Sequence, residues 1–149
     1  MLPTTPLHVE LFRDAHYDAL VMTSGNASDE PICRGNREAL TRLGSIADLF
    51  LLHDRDVVRR ADDSVARTGP GEPALVRRGR GYVPEALPLP VRAPQPVLAL
   101  GPYLQVTACL AVGEAAFCSQ HVGDLDSEPA RAFLAEAAHG LEEFLEAAG

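Results

Sequence analysis

The chain contains no lysine: all 13 of its basic residues are arginine. That bias is a matter of composition and is not taken as selection for bidentate contacts. Tryptophan is absent and only 5% of residues are aromatic. No apolar run approaches the roughly 18 residues that a bilayer-crossing helix requires, so no membrane role is expected. Cysteine is scarce. Cys33, Cys109 and Cys118 are odd in number and widely spaced, with no C-x-x-C pair. This argues against a disulfide frame or a zinc knuckle, and for buried free thiols in a reducing cytoplasm. The opening Met1-Leu2-Pro3-Thr4-Thr5-Pro6 has neither a charged leader nor an apolar h-region, so no signal peptide is expected. No P-loop, G-x-G-x-x-G turn or Ser-His-Asp order occurs, which leaves dinucleotide binding and nucleophilic hydrolysis without support.

What remains is the composition of a globular protein. The 149 residues suffice for one ordinary domain or for pieces of two, with 46% hydrophobic and 23% charged content. The formal net charge of -8 is unevenly spread. Arg55, Arg59, Arg60, Arg67, Arg77, Arg78 and Arg80 crowd one stretch, whereas residues 114–149 are acidic apart from Arg131.

Local signals place the elements. Residues 7–12 read as a short helix or strand, and Ala19-Leu20-Val21-Met22 as a buried strand. Asn36 is placed to cap a helix through Leu43, closed by Gly44. The apolar stretch 46–52 leads towards another strand. Ser64-Val65-Ala66-Arg67 and Ala74-Leu75-Val76-Arg77 are expected to pair across the Gly69-Pro70-Gly71-Glu72-Pro73 turn. Pro84, Pro88, Pro90, Pro94 and Pro96 then mark an extended spacer, because proline at that density removes ladder donors. Beyond it, residues 97–101, 106–112 and 115–119 read as three short strands separated by turns. Ser127 opens a helix through Phe133, Leu134, Leu141, Phe144 and Leu145 with one apolar face. Three strands and a helix would leave large apolar faces exposed, so this second unit reads as incomplete.

The chemistry-bearing motif is Thr23-Ser24-Gly25-Asn26-Ala27-Ser28-Asp29-Glu30-Pro31. Ser24 and Asn26 set a hydroxyl and a carboxamide two residues apart, and Gly25 allows close backbone approach, an arrangement suited to a phosphate or carbamoyl group. The same residue types also build ordinary turns. Arg59-Arg60 with Asp62-Asp63-Ser64 can hold a triphosphate through guanidinium contacts, or form a surface turn whose charges cancel. Arg77, Arg78 and Arg80 around Gly79 and Gly81 form a cationic loop able to close over an anion or a nucleic-acid backbone, or a solvated strand end. His53 and His121 each lie near a carboxylate, a setting more often structural than catalytic.

In order along the chain, Leu2-Pro3-Thr4-Thr5-Pro6-Leu7-His8, Val21-Met22 with the motif above, Leu51-Leu52-His53-Asp54-Arg55, Arg59-Arg60-Ala61-Asp62-Asp63-Ser64-Val65 and Arg77-Arg78-Gly79-Arg80-Gly81-Tyr82-Val83-Pro84 resemble the HypF family, the carbamoyltransferases that mature nickel-iron hydrogenases. Leu98-Ala99-Leu100-Gly101 and Ser119-Gln120-His121-Val122-Gly123-Asp124-Leu125 resemble the opening of that family's second domain. The resemblance implies an α/β (α+β) fold: a twisted mixed β-sheet of YrdC-like type with flanking helices, followed by a partial ASKHA-type β-sheet unit. It divides the chain into residues 1–84, the C-terminal part of the YrdC-like domain; 85–96, the Pro-rich linker; and 97–149, the N-terminal part of the carbamoyltransferase domain.

The resemblance further implies that the parent enzyme makes carbamoyl-adenylate from carbamoyl phosphate and ATP, with Mg accompanying the ATP. The carbamoyl group then passes to a cysteine on a hydrogenase-maturation partner protein. Ser24 and Asn26 match the family's Ser-x-Asn pair, and Arg60, Ser64 and Arg78 are the further candidates for nucleotide or carbamoyl binding. No catalytic residue is assigned. The family's early Lys and Arg have no counterpart here, and Gln105-Val106-Thr107 stands where a Lys-Asn-Thr turn is usual, losing a polar residue expected near phosphate. Metal ligands for the parent's zinc or iron are expected outside this chain. Two other readings compete: a non-catalytic double-stranded RNA- or nucleotide-binding YrdC-like module, which the basic 55–80 stretch supports and the overall acidity opposes, and a truncated fragment without activity of its own.

Overall fold

The computed structural model describes residues 5–148. It has the order α1 (Pro6–Arg13), α2 (Asn36–Leu43), β1 (Val65–Arg67), β2 (Ala74–Arg77), β3 (Ala86–Leu100), β4 (Ala108–Cys118) and α3 (Glu128–Ala148). The α/β class is as expected. Strand pairing among the described residues is antiparallel, β1 with β2 and β3 with β4, with one parallel bridge between Asp63 and Arg80. The Leu2-Pro3-Thr4 start of the first family-like motif lies outside the described residues.

Helix ends follow local chemistry. Thr5 caps α1 by accepting the His8 N–H at 3.2 Å, and Pro6 occupies the first turn, where its missing N–H is harmless. The cap of α2 falls on Gly35 rather than Asn36. The reason is Glu38, whose carboxylate reaches back to the N–H groups of Arg34 at 2.8 Å and Gly35 at 3.4 Å. Gly44 ends α2 in a right-handed conformation, φ -62°, so the left-handed closure expected of it is not used. Ser127 caps α3 by accepting the Ala130 N–H at 3.2 Å.

Two expected strands do not form. Residues 19–22 and the segment leading from 46–52 carry no strand, and Val21 and Leu49 stand in solvent. A strand exists through its partner's ladder, and among the described residues neither segment pairs with β1, β2, β3 or β4.

The proline-rich stretch is extended but not a free spacer: it belongs to β3 and pairs with β4. Both strands double back. Residues 86–88 run beside 117–115, Ala93 faces Gly113, and residues 97–100 run beside 111–108. Within β4, the Ser119 N–H reaches the Ala108 carbonyl at 2.8 Å and the sulfurs of Cys109 and Cys118 lie 3.7 Å apart. In a straight strand those two residues would stand roughly 30 Å apart. The fold-back occurs at Gly113, φ 59°, the Gly-first arrangement of a two-residue hairpin turn. Pro90, Pro94 and Pro96 all fall between the paired arms of β3, where no ladder donor is lost. Four lanes of chain result, consistent with separate short strands over 97–101, 106–112 and 115–119.

Helix α3 packs on this sheet. Ala108, Leu110 and Leu141 form the buried cluster, flanked by Phe117, Leu134, Ala138 and Leu145. The same helix turns Phe133 and Glu136 towards the first half of the chain, and so positions one wall of the site.

Candidate functional site

The loop behind residue 23 is held by its own backbone. The Asn26 N–H donates to the Ser24 carbonyl at 3.0 Å, and the Cys33 N–H to the Gly25 carbonyl at 2.8 Å. The Asn26 carboxamide nitrogen donates to the carbonyls of Ala27 at 3.1 Å and Glu30 at 2.9 Å. Its oxygen is left as the group free to meet a ligand. The Ser24 side chain is exposed and has no hydrogen-bond partner among the described residues.

Behind the loop lies an arginine–glutamate network. Arg60, with only 12% of its side chain exposed, donates from Nε to the Ile32 carbonyl at 2.7 Å and from Nη2 to Glu38 at 3.0 Å. Its Nη1 pairs with Glu136 on α3, and the guanidinium lies 5.6 Å from the Phe133 ring centre. Arg42 bridges Glu38 and Glu30. Burial alone would raise the Glu38 carboxyl, but donors from Arg34, Arg42, Arg60 and Gly35 overcome it and bring the pKa down to about 2.

The facing wall comes from the second half of the chain. Gln120 is buried and accepts the Asp62 N–H at 3.1 Å, while Asp124 accepts the Gln105 N–H at 2.7 Å. Gln105 adopts a left-handed φ of 55°, and its side-chain Nε2 donates to the same carboxylate at 3.1 Å. Burial, reinforced by Arg77, pushes the His121 pKa down against the pull of Asp124 and Asp62. The imidazole is therefore neutral at neutral pH and available as an acceptor.

These walls enclose a cavity of about 240 Å³. Ser24, Asn26, Arg60, Arg77, Gln120 and His121 line it, together with the carboxylates Asp29, Glu30, Asp62, Asp124 and Asp126. Of the residues singled out in the sequence, the structure thus brings together Ser24, Asn26 and Arg60, with Asp62, Arg77 and His121 beside them. Ser64 does not line the cavity: its hydroxyl accepts the Gly79 N–H at 2.8 Å and donates to the Arg80 carbonyl at 3.0 Å, fastening the turn. Arg78 faces a neighbouring cavity, with its guanidinium donating to the Tyr82 carbonyl at 2.8 Å. Asp63 pairs with Arg80 at 2.7 Å. His53 serves structure, its Nδ1 accepting the Arg55 N–H at 3.2 Å. Glu38, Glu136 and Gln120 were not singled out. Glu38 carried one readable signal, three residues beyond the helix cap, whereas Glu136 pairs across 76 residues and carried none. Among the described residues no group of three or more His, Cys, Asp or Glu is arranged to hold a metal ion, and no step is assigned to one. No helix among them is long and apolar enough to cross a membrane.

The two walls correspond to two recognised protein modules. Residues 1–79 match the Sua5–YciO–YrdC family, described as telomere recombination, and residues 92–148 match the HypF Kae1-like domain. An α/β chain that joins a YrdC-type segment to a Kae1-like segment across one shared cavity is therefore the class in hand. The carbamoyltransferase HypF2 of Cupriavidus necator is 47% identical over 163 residues, covering 98% of this chain and 20% of that protein. A full-length HypF crystal structure in a phosphate- and nucleotide-bound form superposes with a TM-score of 0.84 at 45% identity, covering 91% of this chain and 21% of that one. The HypF of T. kodakarensis superposes with a TM-score of 0.70 at 36% identity, covering 78% and 15%. The chain belongs to the HypF carbamoyltransferase family, and spans about a fifth of the length of the relatives it matches.

Proposed function

We propose that this chain supplies part of the pocket in which a HypF carbamoyltransferase forms carbamoyl-adenylate from carbamoyl phosphate and ATP. On this reading it also supplies the opening of the domain that passes the carbamoyl group to a cysteine of a hydrogenase-maturation partner protein. The observation that carries the proposal is the shared cavity. Ser24, Asn26, Arg60 and Arg77 come from the YrdC-type segment, and Gln120, His121 and Asp124 from the Kae1-like segment. A product made on one module and used by the other needs such a junction. The relative of similar fold that was crystallised with phosphate and nucleotide supports the same reading. The chemistry of the wall fits a small neutral carbamoyl group, with the free Ser24 hydroxyl as donor and the Asn26 oxygen and neutral His121 as acceptors.

Arg60 is not a free phosphate ligand on this reading. Its guanidinium is held by Glu38, Glu136 and the Ile32 carbonyl, and it acts by fixing the loop against α3. Arg77, whose contact with Asp62 is a long 3.5 Å, is the cation freer to meet an anion.

The test uses the intact enzyme and Ser24→Ala, since that hydroxyl supports nothing else. Carbamoyl-phosphate-dependent exchange of pyrophosphate into ATP is expected to fall by about 10- to 100-fold with an unchanged melting temperature. Exchange at the wild-type rate would remove Ser24 from the pocket and the proposal with it.

A further inference from the structure

Two of the three thiols lie outside the cavity chemistry above. Cys109 and Cys118 occupy opposite arms of the hairpin folded at Gly113, and their sulfurs are 3.7 Å apart. The neighbouring pair, Ala108 and Ser119, carries the ladder hydrogen bond of 2.8 Å. In an antiparallel ladder, hydrogen-bonded and non-hydrogen-bonded pairs alternate, so 109 and 118 form the closer kind, with Cα atoms roughly 4.5 Å apart. That spacing lies within the span a disulfide bridges. The two thiols are not equivalent. Cys118 lines two cavities, one with Phe133 and Leu141 of α3, the other with Arg77, Arg78 and His121. Neither of those cavities, nor the one described above, is lined by Cys109.

We propose that Cys109 and Cys118 form a reversible dithiol site, closed to a cross-strand disulfide by a small hydroperoxide. The Cys118 thiolate attacks one oxygen of hydrogen peroxide, breaking the O–O bond; it becomes a sulfenic acid, and the departing hydroxide takes a proton to leave as water. The Cys109 sulfur then attacks the Cys118 sulfur. The S–O bond breaks, and the leaving hydroxide takes the Cys109 proton as a second water. Two thiols lose two electrons and one peroxide gains them. Cavity lining assigns the order: Cys118 faces two cavities and is the first nucleophile, and Cys109, whose thiol burial and the adjacent Cys118 push up to about 11, is the resolving partner. Cys33, on the loop beside Glu38 and Arg42, has no such neighbour and serves as the internal control.

The experiment exposes the purified chain to hydrogen peroxide at neutral pH, alkylates the remaining thiols and maps them by peptide mass spectrometry. Two of the three thiols are expected to disappear together. The product should be a linked pair of peptides containing Cys109 and Cys118, two hydrogen masses lighter than the free pair, monomeric on a non-reducing gel and reversed by a phosphine. In Cys109→Ser, the sulfenic acid should persist on Cys118 and be captured by dimedone. The wild-type map decides alone if that variant fails to fold. Oxidation of Cys118 to sulfinic acid with Cys109 still alkylatable, a link through Cys33, or a disulfide-bonded dimer would overturn the proposal. So would reaction of Cys33 alone.

Discussion

Replacing Glu38 with glutamine removes the charge on which the candidate site is assembled. That carboxylate accepts from the N–H groups of Arg34 and Gly35 and from the guanidiniums of Arg42 and Arg60. Its pKa of about 2, against an ordinary 4.5, sets a ceiling of about 3 kcal/mol on what its ionisation adds to stability at neutral pH. The side chain is 27% exposed, so solvent screening reduces this to about 1–3 kcal/mol. The sign follows from the depressed value. Stabilisation is fully present above the unfolded carboxyl's pKa, near 4.5, and fades as pH falls through the folded value of about 2. Urea unfolding of wild type and Glu38→Gln, followed by circular dichroism across that window, provides the assay. The two are expected to differ by about 1–3 kcal/mol at neutral pH and to converge in acid. A difference independent of pH, or below about 0.5 kcal/mol at neutrality, would refute the reasoning, because the network would then be worth no more than ordinary exposed ion pairs.

Backbone geometry yields two sharper tests. A methyl group on Gly79 would stand 2.5 Å from the Asp62 carbonyl oxygen, which already accepts the Arg80 N–H at 2.8 Å. Gly79→Ala is therefore expected to lower stability by about 2 kcal/mol or more and to weaken ligand binding at the cavity, and an unchanged urea midpoint would show that the strand junction yields freely. Nothing lies within 4 Å of the corresponding position on Gly113, so Gly113→Val meets no clash but must adopt φ 59°. A cost of about 1–2 kcal/mol is expected, with Gly113→Asn losing less, and equal losses for the two would contradict a conformational origin.

What the sequence disclosed divides along the range of the forces involved. Helices α2 and α3 and the β1–β2 hairpin rest on caps, periodicity and a Gly-Pro turn within a few residues, and all three were legible. The strand expected over 19–22 rested on composition alone. Apolar, β-branched residues suit a buried strand, but only a neighbour's ladder makes one, and composition does not say whether a neighbour is there. The prolines of 84–96 read as an extended spacer, yet residues 86–88, Ala93 and residues 97–100 pair with β4, which the local pattern does not contain. At the site, Ser24 and Asn26 were recognisable from side-chain chemistry. The engagement of Arg60 by Glu136, and of Ser64 by Gly79 and Arg80, depends on where distant backbone arrives.

The doubled-back strand at Gly113 has a consequence for the time course of folding. Its contacts, from the Val106–Gly123 bridge to the Cys109–Cys118 pair, close within 18 residues of chain, and hairpins of that kind form in roughly 1–10 microseconds. The contacts that complete the cavity behave differently. Arg60 reaches Glu136 over 76 residues and Arg34 reaches it over 102, so loop-closure entropy delays them. The inner hairpin is thus placed to act as the early template on which α3 settles, while the ligand-facing surface is the last part of the molecule to acquire its shape.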